Sequence, residues 1–423
     1  MSKKKPKVAP AGQAPPSPPA FKGLARDTLV LFILLNLFNL VNFLYHFIIA
    51  RILTPADYGI LATLIAIVFI FAVSSEAIQN LFSRLTSKLN INQEEGKIKY
   101  LFKNGIKKAL LYSSFIFVLL LGFALFLSQF LKINFGLLVF TNSMLFLLVL
   151  APVPRGILQG KKDFLGFGSS FVIEGTAKLV FSIILVFMGF KVFGALAGIF
   201  LGLVFGLAAS VLFLNKLLKV PEQKEDFSGA YKFSIPFFIT NLVMVALLSI
   251  DIILARRFFA PEIAGNYAVL SLLGKIIFFA TSAVGKSMFP AASERFEQNQ
   301  DTNIIFKKSL SIILALVALA VLFYAWLPEI IVRLSFGQQY LKIAPLLVYS
   351  GIALSLLSCT NLVLLYGLSI DRLKAPGLLI LFFLMEVALL SAFHSNLKEY
   401  ITALLISNAM VFSGSIMMIR ARQ

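Results

Sequence analysis

The sequence predicts an all-α integral membrane protein, with about twelve transmembrane helices in two sets of six. Three observations carry that prediction. Of 423 residues, 59% are hydrophobic and 13% charged, and the mean hydropathy is +0.92, outside the range of a water-soluble domain. Apolar runs of roughly 20 residues, each able to cross a bilayer core as a helix, recur more often than any soluble core requires. Strand-type alternation is missing from them, which disfavours a barrel. Finally, the stretch ARILTPADYG (50–59) is written again about 206 residues later as ARRFFAPEIAG (255–265). In each copy an arginine ends an apolar run, a proline forbids its continuation, and a glycine lies in the next run. Two copies half a chain apart indicate an internal duplication.

Residues 1–22 read as a disordered, lysine- and proline-rich tail rather than a signal peptide, because no apolar core follows the lysines. Apolar windows then place spans at about 27–50, 57–82, 104–127, 134–154, 164–188 and 192–216. A second set follows at about 230–255, 263–289, 305–327, 342–367, 374–393 and 399–419, joined by short connectors. The halves are thus 27–220 and 228–423. Each has an even number of spans, so both enter from the same side and the repeats are related by an axis along the membrane normal.

Lysine and arginine set the expected orientation. With the N-terminus inside, the inner connectors carry clusters such as Lys97, Lys99, Lys103, Lys107 and Lys108, or Arg155, Lys161 and Lys162. The outer turns carry few cations, among them Arg51, Lys132, Lys191, Arg256 and Arg257. Both termini are therefore expected in the cytoplasm, with the protein in the cytoplasmic (inner) membrane. The net charge of +19 follows from this bias and calls for no nucleic-acid partner. The single cysteine, Cys359, excludes an intrachain disulfide, and two histidines, His46 and His394, do not build a typical metal site.

The repeat extends beyond the opening turn. LFSRLTSKL (81–89) parallels MFPAASERF (288–296), FKN (102–104) parallels FKK (306–308), and GILQGKKDF (156–164) parallels LLYGLSIDRL (364–373). The first-copy pattern ARxLxPxxYG, with SIDIILA (249–255) and FPAAS (289–293) in this order, resembles the polysaccharide-biosynthesis flippases. These O-antigen-type transporters belong to the multidrug/oligosaccharidyl-lipid/polysaccharide exporter superfamily. The resemblance covers nearly the whole chain from residue 27. It implies two six-helix bundles facing a cavity, a polyprenyl-linked glycan as substrate, and no cofactor. It also implies membrane lipids, a coupling proton or sodium ion, and glycan polymerase or ligase machinery as partners.

Ionisable groups at membrane depth are costly, so each is a candidate. Arg51, Arg256, Lys178, Lys275 and Lys286 are the cations expected to meet an anionic substrate. Asp251, Glu174, Glu76 and His46 are the groups expected to exchange the coupling ion. Glu174 and Lys178 lie four apart on one helix face and can neutralise each other. Lys275 and Lys286 lie eleven apart, about three turns, so they can form a stripe. Lys275 is the deeper and the stronger candidate, while Lys286 can simply snorkel. Asp251 precedes Arg256 on the seventh span and either exchanges an ion or pairs with a cation; the repeat sets it opposite His46. Glu386 stands in the eleventh span without an evident partner. Arg51 either anchors the interface or meets a pyrophosphate at the outer mouth.

Three function classes remain open at this level. A flippase for polyprenyl-pyrophosphate-linked oligosaccharides needs cations in a cavity and two access states. A multidrug/cation antiporter of the same superfamily would favour acids over lysines there. A membrane glycan polymerase or ligase would need a sizeable outer domain, and the outer turns read as short.

Overall fold

The computed structural model describes residues 21–225, 227, 235–372 and 377–420; among these, helix dominates and no strand occurs. The expected tail lies outside the described residues except for Phe21 and Lys22, which open the first helix. The first half contains α1 (Phe21–Ile52), α2 (Pro55–Ile91), α3 (Glu95–Leu131), α4 (Phe135–Leu150), α5 (Pro152–Gly160), α6 (Phe164–Leu185), α7 (Lys191–Phe213) and the short α8 (Asn215–Lys219). The second contains α9 (Ile235–Phe258), α10 (Pro261–Glu297), α11 (Asn303–Trp326), α12 (Pro328–Phe336), α13 (Leu347–Ser369), α14 (Gly377–Ala392) and α15 (Leu397–Arg420).

Ten helical stretches among the described residues are long and apolar enough to cross a membrane. One of them, Phe164–Phe213, is a hairpin: the chain reverses at Gly189 (φ +93°), and Ser182 Oγ donates to Ala195 O at 3.1 Å across it. Counted as two spans, and joined by the shorter apolar helix Gly377–Ala392, it brings the total to the expected twelve. A left-handed backbone strains any residue with a Cβ, so Gly189→Ala is expected to cost about 1–2 kcal/mol. Thermal unfolding in detergent checks this; an unchanged midpoint would show that the turn tolerates the strain.

The duplication is visible in the backbone. Helices α2 and α10 are each 37 residues long, start on a proline in the first turn, and are offset by 206 residues. Left-handed connector residues recur in step, Gln93 with Asn299, Lys132 with Gly337, and Lys162 with Asp371. The helix ends Ile52 and Phe258 carry the same offset, which sets Asp251 opposite Tyr45 rather than the expected His46. The extra residue in ARRFFAPEIAG lies between the Ala-Arg pair and the proline, so matching those pairs by eye slips α1 against α9 by one position.

Several boundaries differ from expectation for one reason. At about 1.5 Å per residue, α2 and α10 run roughly 55 Å, well past a ~30 Å hydrocarbon core. LFSRLTSKL and MFPAASERF, beyond the expected span ends at 82 and 289, continue α2 and α10 as helix, and FKN, expected in a basic loop, lies on α3. Arg155, expected in a loop, lies on α5 beyond the Pro152 and Pro154 bend and is 5% exposed. The outer connection between the ninth and tenth spans is not a short turn. Pro328 breaks the helix that in the first half runs unbroken as α3, producing α12 and a 3-10 segment, Gln338–Leu346.

The hydrophobic packing has a Y-shaped plan. One large core combines Tyr45, Tyr58 and Leu61 of the first half with Leu247, Tyr267 and Leu347 of the second, at the end bearing the duplicated turns. At the basic-connector end there are two separate cores, one around Phe82, Leu101 and Ile157, the other around Met288, Leu362 and Tyr366. The segment leading out of the first half is held on α3: Lys99 Nζ donates to Leu218 O and Val220 O at 2.7 Å, and Lys103 pairs with Glu222 at 2.5 Å.

Candidate functional site

The divided core leaves a cleft between α2 and α10. Both helices are largely buried near the turns, over 58–67 and 264–278. Farther along they expose facing ridges, with Phe69, Glu76, Asn80 and Arg84 on α2 and Phe279, Ala283 and Lys286 on α10. Phe69 and Phe279 approach to 6.5 Å between ring centroids at the apex. Below them Lys286 Nζ stands 4.0 Å from Glu76 Oε1, with side chains 71% and 49% exposed. The cleft therefore opens toward the basic connectors and is shut at the duplicated turns.

The closed end is sealed by backbone contact. A Cβ built on Gly265 would lie 1.7 Å from Pro55 O, and one on Gly59 would lie 2.9 Å from Gly265 Cα. Only glycine permits the two turns to meet so closely. Tyr340 Oη and Gln339 Nε2 donate to Ala50 O at 3.2 and 2.8 Å, and Phe47 meets Phe336 edge-on.

The charges expected to act together are sorted differently by the packing. Glu174 does not pair with Lys178. It accepts from Arg155 Nη2 at 2.5 Å, and the Arg155 guanidinium also stacks 3.9 Å from the Phe171 ring centre. Lys178 instead donates to Asn42 Oδ1 and lies 4.4 Å over the Tyr45 ring, between α1 and α6. The i,i+4 spacing was real, but a guanidinium on a neighbouring helix offered the carboxylate better geometry. His46 is half-buried and bonds Tyr58 Oη at 3.2 Å.

Lys275 and Lys286 do not form one stripe. Lys275 Nζ donates to Asp251 Oδ1 at 3.1 Å, and both side chains are nearly sealed. The other Asp251 oxygen accepts from Ser271 Oγ at 2.5 Å and Tyr267 Oη at 3.1 Å. Tyr267, Ser271 and Lys275 are four apart in sequence, a signal legible on α10 alone that the sequence reading missed. Glu386 is fully buried on α14; Ser407 Oγ donates to its Oε2 at 3.2 Å, while Oε1 has no hydrogen-bond partner. Among the described residues no three His, Cys, Asp or Glu side chains converge as a metal site.

Arg51 and Arg256 lie at the closed end. Neither reaches the cleft: Arg51 Nη2 donates to Arg333 O and Leu334 O, and Arg256 donates to Leu131 O and Lys132 O.

The sequence model described as "Polysaccharide biosynthesis protein" matches residues 24–296, more than half of the chain. The chain belongs to the polysaccharide biosynthesis protein family. No curated protein matches it by sequence. Solved structures show where this family member's fold is shared. It is similar to a multidrug resistance MATE family transporter of the MOP superfamily in an inward-facing conformation, at TM-score 0.73 and 13% identity, covering 91% of this chain and 94% of that one. An outward-facing MATE transporter is similar at TM-score 0.62 and 16% identity, with 95% of each chain covered. A MOP superfamily transporter from Pyrococcus furiosus, described by a binding pocket of reverse polarity, is similar at TM-score 0.60 and 16% identity, with 94% of each covered. The polysaccharide biosynthesis protein thus has the all-α, multi-pass membrane fold of MOP transporters.

Proposed function

We propose that this protein is a flippase that moves polyprenyl-pyrophosphate-linked oligosaccharides across the cytoplasmic membrane by alternating access. The observation that carries the reading is the cleft, open at the basic-connector end, closed at the other, and bearing an exposed cation. Among the described residues Lys286 is held by a long, solvated contact with Glu76, the kind of pair worth at most about 1 kcal/mol. A pyrophosphate can take Lys286 from Glu76 at little cost. Lys275 cannot be taken so easily, because it is locked to Asp251. The ranking from depth alone is therefore reversed, and Lys286 becomes the headgroup contact. Arg84, on the same exposed ridge as Glu76, extends the positive lining toward the mouth. The lipid tail stays in the bilayer while the polar headgroup enters between the halves.

The basic-connector end is read as cytoplasmic from its lysines and arginines, so the cleft loads from inside. Glu76 is the expected ion-coupling group that lies in the cleft, and releasing it from Lys286 frees a carboxylate to bind a proton or sodium ion. Asp251, Glu174 and His46 already have partners within their own half.

The test uses sealed proteoliposomes carrying a fluorescent polyprenyl-pyrophosphate oligosaccharide, with a membrane-impermeant quencher outside. Gradient-accelerated exposure of label is expected. Lys286→Ala should slow it about tenfold, the scale of one charge-assisted hydrogen bond, without lowering the unfolding temperature. No flipping under any gradient, together with gradient-driven efflux of cationic dyes, would replace this reading with multidrug export.

A further inference from the structure

The arginines of the two Ala-Arg pairs, one position out of the 206-residue register, make reciprocal contacts at the closed end. Arg51 belongs to the first half, yet it donates to Arg333 O and Leu334 O in the last turn of α12, in the second half. Arg256 belongs to the second half, yet its Nε and Nη2 donate at 3.2 and 3.1 Å to Leu131 O and Lys132 O at the end of α3, in the first. Helices α3 and α12 occupy corresponding places in the two halves, as their left-handed end residues Lys132 and Gly337 show. The last carbonyls of a helix lack intrahelical partners and carry the negative end of its dipole. A guanidinium presents several donors in a fixed plane and can straddle two successive carbonyls. Each half thus lends a cation to the other half's helix end.

We propose that Arg51 and Arg256 form a reciprocal clamp, each binding helix-end carbonyls of the opposite half, that holds the turn side of the cleft shut. The acceptors are backbone carbonyls, not carboxylates, and this suits a reversible latch. When the halves part, both guanidinium and carbonyls return to water, so no buried ion pair must be broken. Breaking a buried charge pair would be far more costly. The two contacts act in parallel.

The clamp rests on the alternating-access reading. Its test needs no substrate, so it can fail while the flipping assay succeeds, and the reverse. In a Cys359→Ser background, Ala264→Cys places a thiol in the closed seam and Ala283→Cys places one on the exposed ridge of α10. Labelling by a membrane-impermeant maleimide is followed in sealed vesicles of both orientations. Arg51→Gln or Arg256→Gln should each speed labelling at position 264 about tenfold, the scale of a hydrogen bond to a charged group. The double substitution should compound the gains, while labelling at position 283 slows. Lysine at either position, a single-point donor, should give an intermediate rate.

Arg51 is exposed, so the single Arg51→Gln variant tests the idea even if the buried Arg256 proves necessary for folding. An unchanged rate at position 264 in a folded Arg51→Gln protein would overturn the clamp. So would faster labelling at both positions with a lowered melting temperature, which marks a general loosening rather than a latch.

Discussion

Asp251→Ala is expected to destabilise the protein by about 3–5 kcal/mol, the usual consequence of stranding one member of a buried ion pair. Lys275 is 6% exposed and pairs with the Asp251 carboxylate at 3.1 Å. Removing that carboxylate also strips Ser271 and Tyr267 of their common acceptor in a region without water access. Lys275→Met should be costly for the converse reason, since Glu386, with one oxygen already unpartnered, lies in the same bundle as the stranded Asp251. The combination Asp251→Ala with Lys275→Met should recover much of the loss, because neither member of the pair then leaves the other as a stranded charge. Thermal and denaturant unfolding of the three variants in one detergent forms the necessary cycle. If Asp251→Ala matches the parent in stability while flipping is lost, the pair is not structural, and Asp251 belongs to ion coupling after all.

Gly265→Ala is expected to wedge the closed end apart and reduce flipping more than tenfold. The added methyl would overlap Pro55 O at 1.7 Å, and that obstacle is backbone, which no rotamer change can move aside. Tightly packed interiors respond to such an overlap by shifting whole elements at a cost of about 1–3 kcal/mol. Here the elements are the two halves, so the cost falls on the state in which the turns meet. Gly59→Ala should have a smaller effect, since its methyl would lie 2.9 Å from Gly265 Cα. Gly122→Ala on α3 has nothing within 4 Å of the new carbon and should leave flipping unchanged. The ordering of the three variants is the prediction. Equal activity of Gly265→Ala and Gly122→Ala would show that the halves do not need to close there.

Some of the candidate site was legible in the sequence and some was not, and individual residues show why. The turn ARILTPADYG and its copy announced two helix boundaries and the duplication, because proline and glycine act on the backbone locally; that the two turns touch was not legible there. The spacing of Glu174 and Lys178 was equally visible, yet it named the wrong pair. Same-helix geometry allows a contact, while Arg155 and Asn42 arrive from other helices and win it. Depth along the chain made Lys275 look like the substrate cation. Depth says how far a residue lies from water along one helix, and the neighbouring α9 decides whether it also faces a carboxylate. Lys286, nearer the end of the same helix, lies where α10 has parted from α2. Glu386 found Ser407 on α15, a partner that no spacing in the chain could identify.

Composition, run length and short motifs read along the chain are enough to give the membrane class, the twelve spans, the duplication and the family. The tertiary structure alone decided which charges are neutralised, which end of the cleft is closed, and that Arg51 and Arg256 reach into opposite halves. Those are distances between residues remote in sequence. In a hydrophobic bundle, the free energy of a charge depends on the partner that packing places beside it.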